Sequence, residues 1–314
     1  MSDMVFVSGA SGFVGTHVVN ELLSRGYRVS ALVRSRPIRV PSPEGALRTT
    51  KGDVFDRNAL LEALTGCTAA IHLIGIIMEY PRRQITFRRM HVEATAAVLE
   101  AVTSCKIRRY VHMSALGTRP DAIAMYHQTK WEAEQLVRSS GLDWTILRPS
   151  MIHGPDGDFT RMQASWARGT SAPWFFMPYF GSGLLGRGGA GLLQPIYVRD
   201  VARAFVDCLS NEKTIRQTYE LAGPETFTWE QLHRITARAI TGIEPRVFPI
   251  PAWYARTIAA ITPRGWLPFN TSQVQMSQED NTAPIDPFVR DFGWTPGKFE
   301  TTLQSYAHEL KPEA

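Results

Sequence analysis

Cysteine is scarce: 314 residues hold only Cys67, Cys105 and Cys208, far apart in the chain. None forms the short pair a structural zinc site needs, and His153 has no partner at metal-binding spacing, so no metal is expected. A sparse, odd set suits reduced thiols of a cytosolic protein better than a disulfide framework, and all three read as small core residues. Long apolar runs are missing too. The longest, AAIHLIGIIM, includes His72 and falls well short of the ~20 residues that span a bilayer. A strand-like run from Met4 to Ser8 begins almost at once, so no signal peptide is expected. Nor is there a basic stripe interleaved with aromatics. The formal charge is +5, but the arginines are scattered, which argues against nucleic acid and suits an anionic ligand. Internal repeats and low-complexity tails are absent. What remains is ordinary globular composition, 44 % hydrophobic and 20 % charged.

The first half of the chain alternates short apolar runs with helical patterns. MVFVS, RVSALV, AAIHLIG, RRYVHMS and DWTILRPS read as strands. GTHVVNELLSRG, NALLEALTG, EATAAVLEAVTS and the segment around MYHQTKWEAEQ read as helices. That rhythm predicts βαβ units and a parallel sheet covered by helices on both faces, a doubly wound α/β fold. Residues 1–155 are expected to form a Rossmann domain. Residues 156–314 are expected mostly in a smaller C-terminal substrate lobe, with 194–223 returning to the Rossmann domain. Residues 181–193 are rich in glycine and expected as a loop. The aromatic stretches 171–180 and 252–269 read as lobe core in preference to an apolar pocket or lid.

Between the first strand and first helix lies VSGASGFVG, with Gly9, Gly12 and Gly15 in G-x-x-G-x-x-G spacing. Gly9 permits a tight turn, Gly12 lets backbone approach a pyrophosphate, and Gly15 lets the helix pack close to the sheet. Free N–H groups and the positive dipole at the helix start favour phosphate, so the segment predicts dinucleotide binding. The second strand ends in ALVRSRPIR, without the acid that usually holds the ribose hydroxyls of NAD. Arg34, with Arg36 behind it, can pair with a 2′-phosphate, which favours NADP(H). Asp53 is placed to accept from an adenine amino group or to cap the next helix, and the backbone up to Gly75 is placed beneath the cofactor.

GASGFVG, GDVFD, VHMSALG, YHQTK, LRPSMIHGP and QPIYVRDVA occur in one order across most of the chain. By these pieces the chain resembles a short-chain dehydrogenase/reductase of the extended or atypical kind. The resemblance implies that Ser114, Tyr126 and Lys130 carry the proton chemistry. Tyr126 and Lys130 share one helical face at i, i+4. A nearby ammonium is expected to draw the phenol below its usual pKa near ~10. The resemblance also implies cofactor contacts from Ser11, Phe13, Val14, Val54, Leu73, Pro149 and Met151, beside the three glycines, Arg34, Arg36, Asp53, Gly75, Tyr126 and Lys130. The family's further catalytic asparagine has no equivalent; His91 stands near that place.

YHQTKWEAEQLVRSSGLDWTILRPSMIHGP and the closing FGWTPGKFETTLQSYAHEL are similar to the branch that includes the NADPH-binding accessory subunit of respiratory complex I and its free-standing bacterial relatives. Three functions stay open on this reading. The first is an NADP(H)-dependent oxidoreductase acting on a hydrophobic carbonyl or alcohol. The second is a non-catalytic NADPH-binding accessory or assembly protein of a respiratory or quinone-biosynthesis complex. The third is a nucleotide-sugar epimerase or dehydratase. The expected location is cytoplasmic, with peripheral association at the inner face of a membrane or with a respiratory complex.

Overall fold

The computed structural model describes residues 3–262, 266–267 and 269–310. In chain order the elements are β1 (Met4–Ser8), α1 (Phe13–Ser24), β2 (Arg28–Val33), β3 (Leu47–Lys51), α2 (Arg57–Leu64), β4 (Ala69–His72), α3 (Ala94–Ser104), β5 (Arg109–Met113), α4 (Met125–Ser139) and β6 (Asp143–Pro149). There follow β7 (Ile152–His153), α5 (Asp158–Ala167), β8 (Met177–Gly181), β9 (Ile196–Tyr197), α6 (Val198–Ser210), β10 (Gln217–Leu221), α7 (Trp229–Thr241), β11 (Val247–Pro251), α8 (Ala252–Ile261), α9 (Thr271–Met276), α10 (Asp286–Phe292) and α11 (Phe299–Tyr306). A π-helical stretch, Arg88–Glu93, runs directly into α3. The chain divides into two compact units. The first comprises Met1–Pro149, Val198–Glu220 and Asp286–Trp294; the second comprises Ser150–Tyr197, Leu221–Ile285 and Thr295–Ala314.

The first unit is a Rossmann-like α/β fold built on a seven-stranded sheet of order β10-β6-β5-β4-β1-β2-β3. β1 pairs in parallel with both β2 and β4, so the strand order reverses between β1 and β4. That is where such sheets open a crevice at their carboxyl ends. β1 is buried along its whole length, as expected of a strand covered on both faces. α1 buries Val14, Val18, Val19 and Leu22, a helical stripe in which each large side chain contributes about 1.5–3 kcal/mol. Asp56 caps α2 by accepting from the N–H groups of Asn58 and Ala59. Phe6, Leu60, Leu64, Val98, Tyr110 and Ile146 belong to one core cluster joining sheet and helices.

The second unit holds a parallel β8–β11 pair and a short β7–β9 pair. In α7, a reciprocal capping box between Thr228 and Gln231 starts the helix, and Gly242 at φ +72° ends it. The aromatic stretches are only partly lobe core: Met177 and Ala255 are buried, but the largest rings are not. Trp174, Phe175, Trp253, Tyr254 and Trp266 are about half or more exposed, and α8, which carries Trp253 and Tyr254, buries only Ala255. Residues 263–265 and 268 of the second stretch lie outside the described residues. Among the described residues no helix is long and apolar enough to cross a membrane.

Candidate functional site

The glycine loop fits a dinucleotide phosphate group on its own geometry. Gly9 has φ +77°, and a Cβ there would lie 3.1 Å from backbone atoms of Leu73 and Ile74. Gly12 sits at the N-cap of α1 with no side chain capping the helix, leaving the first N–H groups for a ligand. A Cβ on Gly15 would fall 2.1 Å from the Gly9 carbonyl oxygen, so no larger residue fits without moving the loop. Ser11 and Phe13 are half-buried and Val14 buried, with Phe13 edge-on to His17 at 5.9 Å.

Just past β2, Arg34 is exposed and lies 3.9 Å from Asp53, which follows β3. Such an exposed, long ion pair is worth at most ~1 kcal/mol and can yield to a phosphate. Arg36 is exposed nearby in sequence. Asp53 does not cap α2; it accepts from the Phe55 N–H at 3.1 Å. Val54 belongs to the core cluster, so its side chain is spent on packing. Leu73, just past β4, is buried and donates its N–H to the Ser8 carbonyl at 3.1 Å. Pro149 ends β6, its carbonyl accepting from Leu116. Met151 belongs to the second unit, where it lines a recess with His153, Gln163 and Tyr306.

Ser114 follows β5, is buried, and donates its hydroxyl to Thr118 Oγ1 at 3.3 Å. Tyr126 lies in the first turn of α4. Its ring meets Phe87, His91 and His127 edge-on at 5.8, 5.3 and 5.2 Å, and its hydroxyl has no hydrogen-bond partner among the described residues. Lys130, one turn later, is 2 % exposed. Its Nζ donates to the Met113 carbonyl at 3.0 Å and packs against Gly75, where a Cβ would come within 3.0 Å of it. The lysine thus lies against the ends of both β4 and β5.

The electrostatics depart from the expected arrangement. Burial pushes the Tyr126 phenol up to about 12 rather than down. The ammonium is held by the Met113 carbonyl, and nothing polar bonds the phenol, so desolvation of the phenolate dominates. Lys130 is itself lowered to about 8 by desolvation, with Glu134 opposing. Glu134 is fully buried and paired with Arg148 at 2.7 Å and Arg138 at 3.3 Å. No carboxylate forms an ion pair with Lys130 among the described residues.

Sequence reasoning gave neither His91 nor His72 a function; the structure joins them in one polar network. Thr129 Oγ1 lies 3.0 Å from the carbonyls of Met125 and Tyr126, so its hydrogen is directed there. His91 Nδ1 lies 2.9 Å from that oxygen, and His91 Nε2 lies 3.2 Å from the Ile76 nitrogen and 3.1 Å from the Ile76 carbonyl oxygen, so the Ile76 backbone meets the ring whichever nitrogen carries the proton. Burial, with the Lys130 charge second, lowers His91 to about 2, which keeps it neutral. Thr95 spends its hydrogen on the His91 carbonyl at 2.6 Å, so it accepts from His72 Nε2–H at 3.1 Å, while Ser8 donates to His72 Nδ1 at 2.6 Å. Ser8, immediately before the glycine loop, is thereby tied through His72, Thr95, His91 and Thr129 to the Tyr126 turn. The π-helical turn carrying His91 is of a kind frequent at functional sites. Neither ring nitrogen of the buried His112, stacked on His72 at 5.4 Å, has a partner among the described residues. Among the described residues no group of histidine, cysteine and carboxylate side chains could hold a metal ion.

The model of a family described as NAD(P)H-binding matches residues 9–170, the segment that holds these glycines and the Ser114, Tyr126 and Lys130 side chains. The chain is 25 % identical to the mitochondrial NADH-ubiquinone oxidoreductase 40 kDa subunit of Neurospora crassa, over 91 % of this chain and 73 % of that one. It is 29 % identical to the mitochondrial NADH dehydrogenase [ubiquinone] 1 alpha subcomplex subunit 9 of Arabidopsis thaliana, over 97 % and 74 %. A ceramide reductase of Caulobacter vibrioides is 30 % identical over 48 % of this chain and 47 % of its own. Among solved structures, the UDP-glucose 4-epimerase of Thermus thermophilus in complex with NAD superposes with a TM-score of 0.73 at 20 % identity, covering 99 % and 100 % of the two chains. That likeness concerns the fold.

Proposed function

Because the chain belongs to the NAD(P)H-binding family, whose model covers just over half of it, we propose that it is an NADP(H)-dependent oxidoreductase of the short-chain dehydrogenase/reductase type. One observation carries this reading. Lys130 is an ammonium 2 % exposed at the ends of β4 and β5, held by a carbonyl and, among the described residues, by no carboxylate. Burying an unpaired charge costs several kcal/mol and serves no packing purpose, which points to chemistry at that spot.

Gly9, Gly12 and Gly15 would hold the pyrophosphate of the dinucleotide, and Arg34 with Arg36 the 2′-phosphate. When bound, the nicotinamide supplies or accepts a hydride. Tyr126, its hydroxyl unengaged, gives a proton to the oxygen of a carbonyl substrate, or takes it from an alcohol. Ser114 turns its hydroxyl from Thr118 to the same oxygen and orients it. Lys130 stabilises the phenolate left behind, which the buried ring by itself disfavours. His91 and Thr129 fix the turn of helix from which Tyr126 projects. The substrate class is a hydrophobic carbonyl or alcohol, in keeping with the reductase among the relatives. Tyr126→Phe should abolish NADPH oxidation across a panel of aldehydes, ketones and quinones while leaving NADPH affinity within about twofold. Unchanged turnover in that variant would defeat the assignment.

A second reading is favoured by the relatives matched over nearly the whole chain, which are respiratory complex I subunits, and by a Tyr126 held far from activation. On that reading the protein holds NADPH stoichiometrically as an accessory of a respiratory complex. It predicts retained cofactor, no multiple turnover and co-purification with complex I. The epimerase reading rests on fold likeness alone.

A further inference from the structure

The exposed apolar side chains are not spread over the molecule. Of fifteen large hydrophobic residues exposed among the described residues, ten fall in two segments of the second unit: Trp174, Phe175, Leu184, Leu185, Leu192, Phe248, Trp253, Tyr254, Ile261 and Trp266. The same two segments lack negative charge. No Asp or Glu occurs between Asp158 and Asp200, or between Glu244 and Glu279. The parallel pairing of β8 with β11 brings the segments together. The Trp253 indole N–H donates to the Leu184 carbonyl at 3.1 Å, fastening the start of α8 to the glycine-rich loop. On that loop Leu184 and Leu185 are adjacent in sequence and 79 % and 66 % exposed. Gly183, Gly186 and Gly189 bend the loop with positive φ, and Gly186 sits so close to Pro249, Ile250 and Pro251 that a Cβ would lie 3.1–3.2 Å from them. Arg187, Arg246 and Arg256 are exposed in the same segments and make no ion pair among the described residues.

From this we propose that the loop carrying Leu184 and Leu185, together with the start of α8 at Trp253 and Tyr254, is a docking surface for a bilayer containing anionic lipid. Paired leucines on a bent loop supply insertion into the acyl boundary. Trp253 and Tyr254 are of the amphipathic kind that settles at headgroup depth. The unpaired arginines, with no acid in either segment, match the negative surface potential of anionic leaflets, each contributing a severalfold gain in binding of about one kcal/mol. A second copy of the chain is a poorer occupant. An acid-free patch brought against itself leaves like-charged arginines facing one another.

The test is co-sedimentation of the full chain with vesicles of phosphatidylcholine, and of phosphatidylcholine with phosphatidylglycerol, at two salt concentrations. Binding is expected to the phosphatidylglycerol vesicles and to weaken with salt. Leu184→Glu combined with Leu185→Glu should reduce the bound fraction about tenfold or more. Because both leucines are exposed, the far-UV dichroism and melting temperature should not change. Arg187→Gln combined with Arg256→Gln should lower binding about tenfold without touching the apolar residues. No binding to phosphatidylglycerol vesicles overturns the proposal. So does binding that both variants leave intact. A wild-type dimer in light scattering that becomes monomeric in the leucine variant, with no vesicle binding, overturns it in favour of a second copy. NADPH oxidation plays no part in these readouts, so failure here leaves the catalytic reading standing.

Discussion

Lys130→Met removes the buried ammonium and keeps a chain of similar length. The structure sets both the sign and the size of the effect on stability. Burial lowers Lys130 from its ordinary 10.5 to about 8. One pKa unit is 1.36 kcal/mol, so holding the charged form in the fold costs roughly 3 kcal/mol relative to the neutral form. The unfolded chain keeps its proton up to its ordinary value, whereas the folded chain loses it from about 8. Between these two values the unfolded state binds more protons, so this group makes stability rise with pH. Below about 8 both states are charged and the full penalty is present. Lys130→Met should therefore stabilise the protein at pH 7. The gain over wild type should shrink by roughly 3 kcal/mol as pH rises toward 10.5. The lost bond to the Met113 carbonyl offsets part of the absolute gain, about 1.5–3 kcal/mol for a charged donor, but the shrinkage with pH survives. Urea unfolding of both proteins at closely spaced pH values reads this directly, because subtracting the two curves cancels every other titrating group. A difference that stays flat between pH 7 and 10.5 would refute the assignment of a buried, destabilised ammonium. NADPH oxidation should be lost in the same variant, so that stability and activity move in opposite directions.

Gly15→Ala puts a Cβ 2.1 Å from the Gly9 carbonyl and must displace the glycine loop; calorimetry should show NADPH binding weakened at least tenfold, by roughly 1.4 kcal/mol or more. Arg34→Glu should weaken NADPH far more than NADH, and an unchanged preference would remove the 2′-phosphate role. Tyr110→Phe deletes a fully buried hydroxyl that has no partner among the described residues; it should raise stability by about 1 kcal/mol in denaturant unfolding, and a loss of that size would mean the hydroxyl is bonded after all.

Much of the first unit is legible from short-range pattern. The order of strands and helices follows from alternating apolar runs and helical stripes, and Asp56 caps α2 as its position before NALLEALTG implies. The glycine loop is legible because its constraint is local: a tight turn, a bare helix start and a close approach each need glycine at a fixed offset. The i, i+4 spacing of Tyr126 and Lys130 is likewise a local fact. Their ionisation is not. It depends on which groups lie across space, and the Met113 carbonyl, rather than the phenol, takes the ammonium.

The same division explains His91 and the aromatic stretches. No spacing rule links Ser8, His72, Thr95, His91 and Thr129, because the network crosses between β1, β4, α3 and α4, and its direction emerges only when each hydroxyl's hydrogen is assigned. Composition suggested that the residues around Trp174 and Trp253 fill a core, yet apolar character does not say what an element packs against. The sequence by itself determined the Rossmann-like sheet and its glycine loop, since both rest on periodicity and on backbone freedom at named glycines. Tertiary structure alone decided that Lys130 is buried without an ion pair among the described residues and that α8 buries only Ala255, because burial is a property of neighbours far away in the chain.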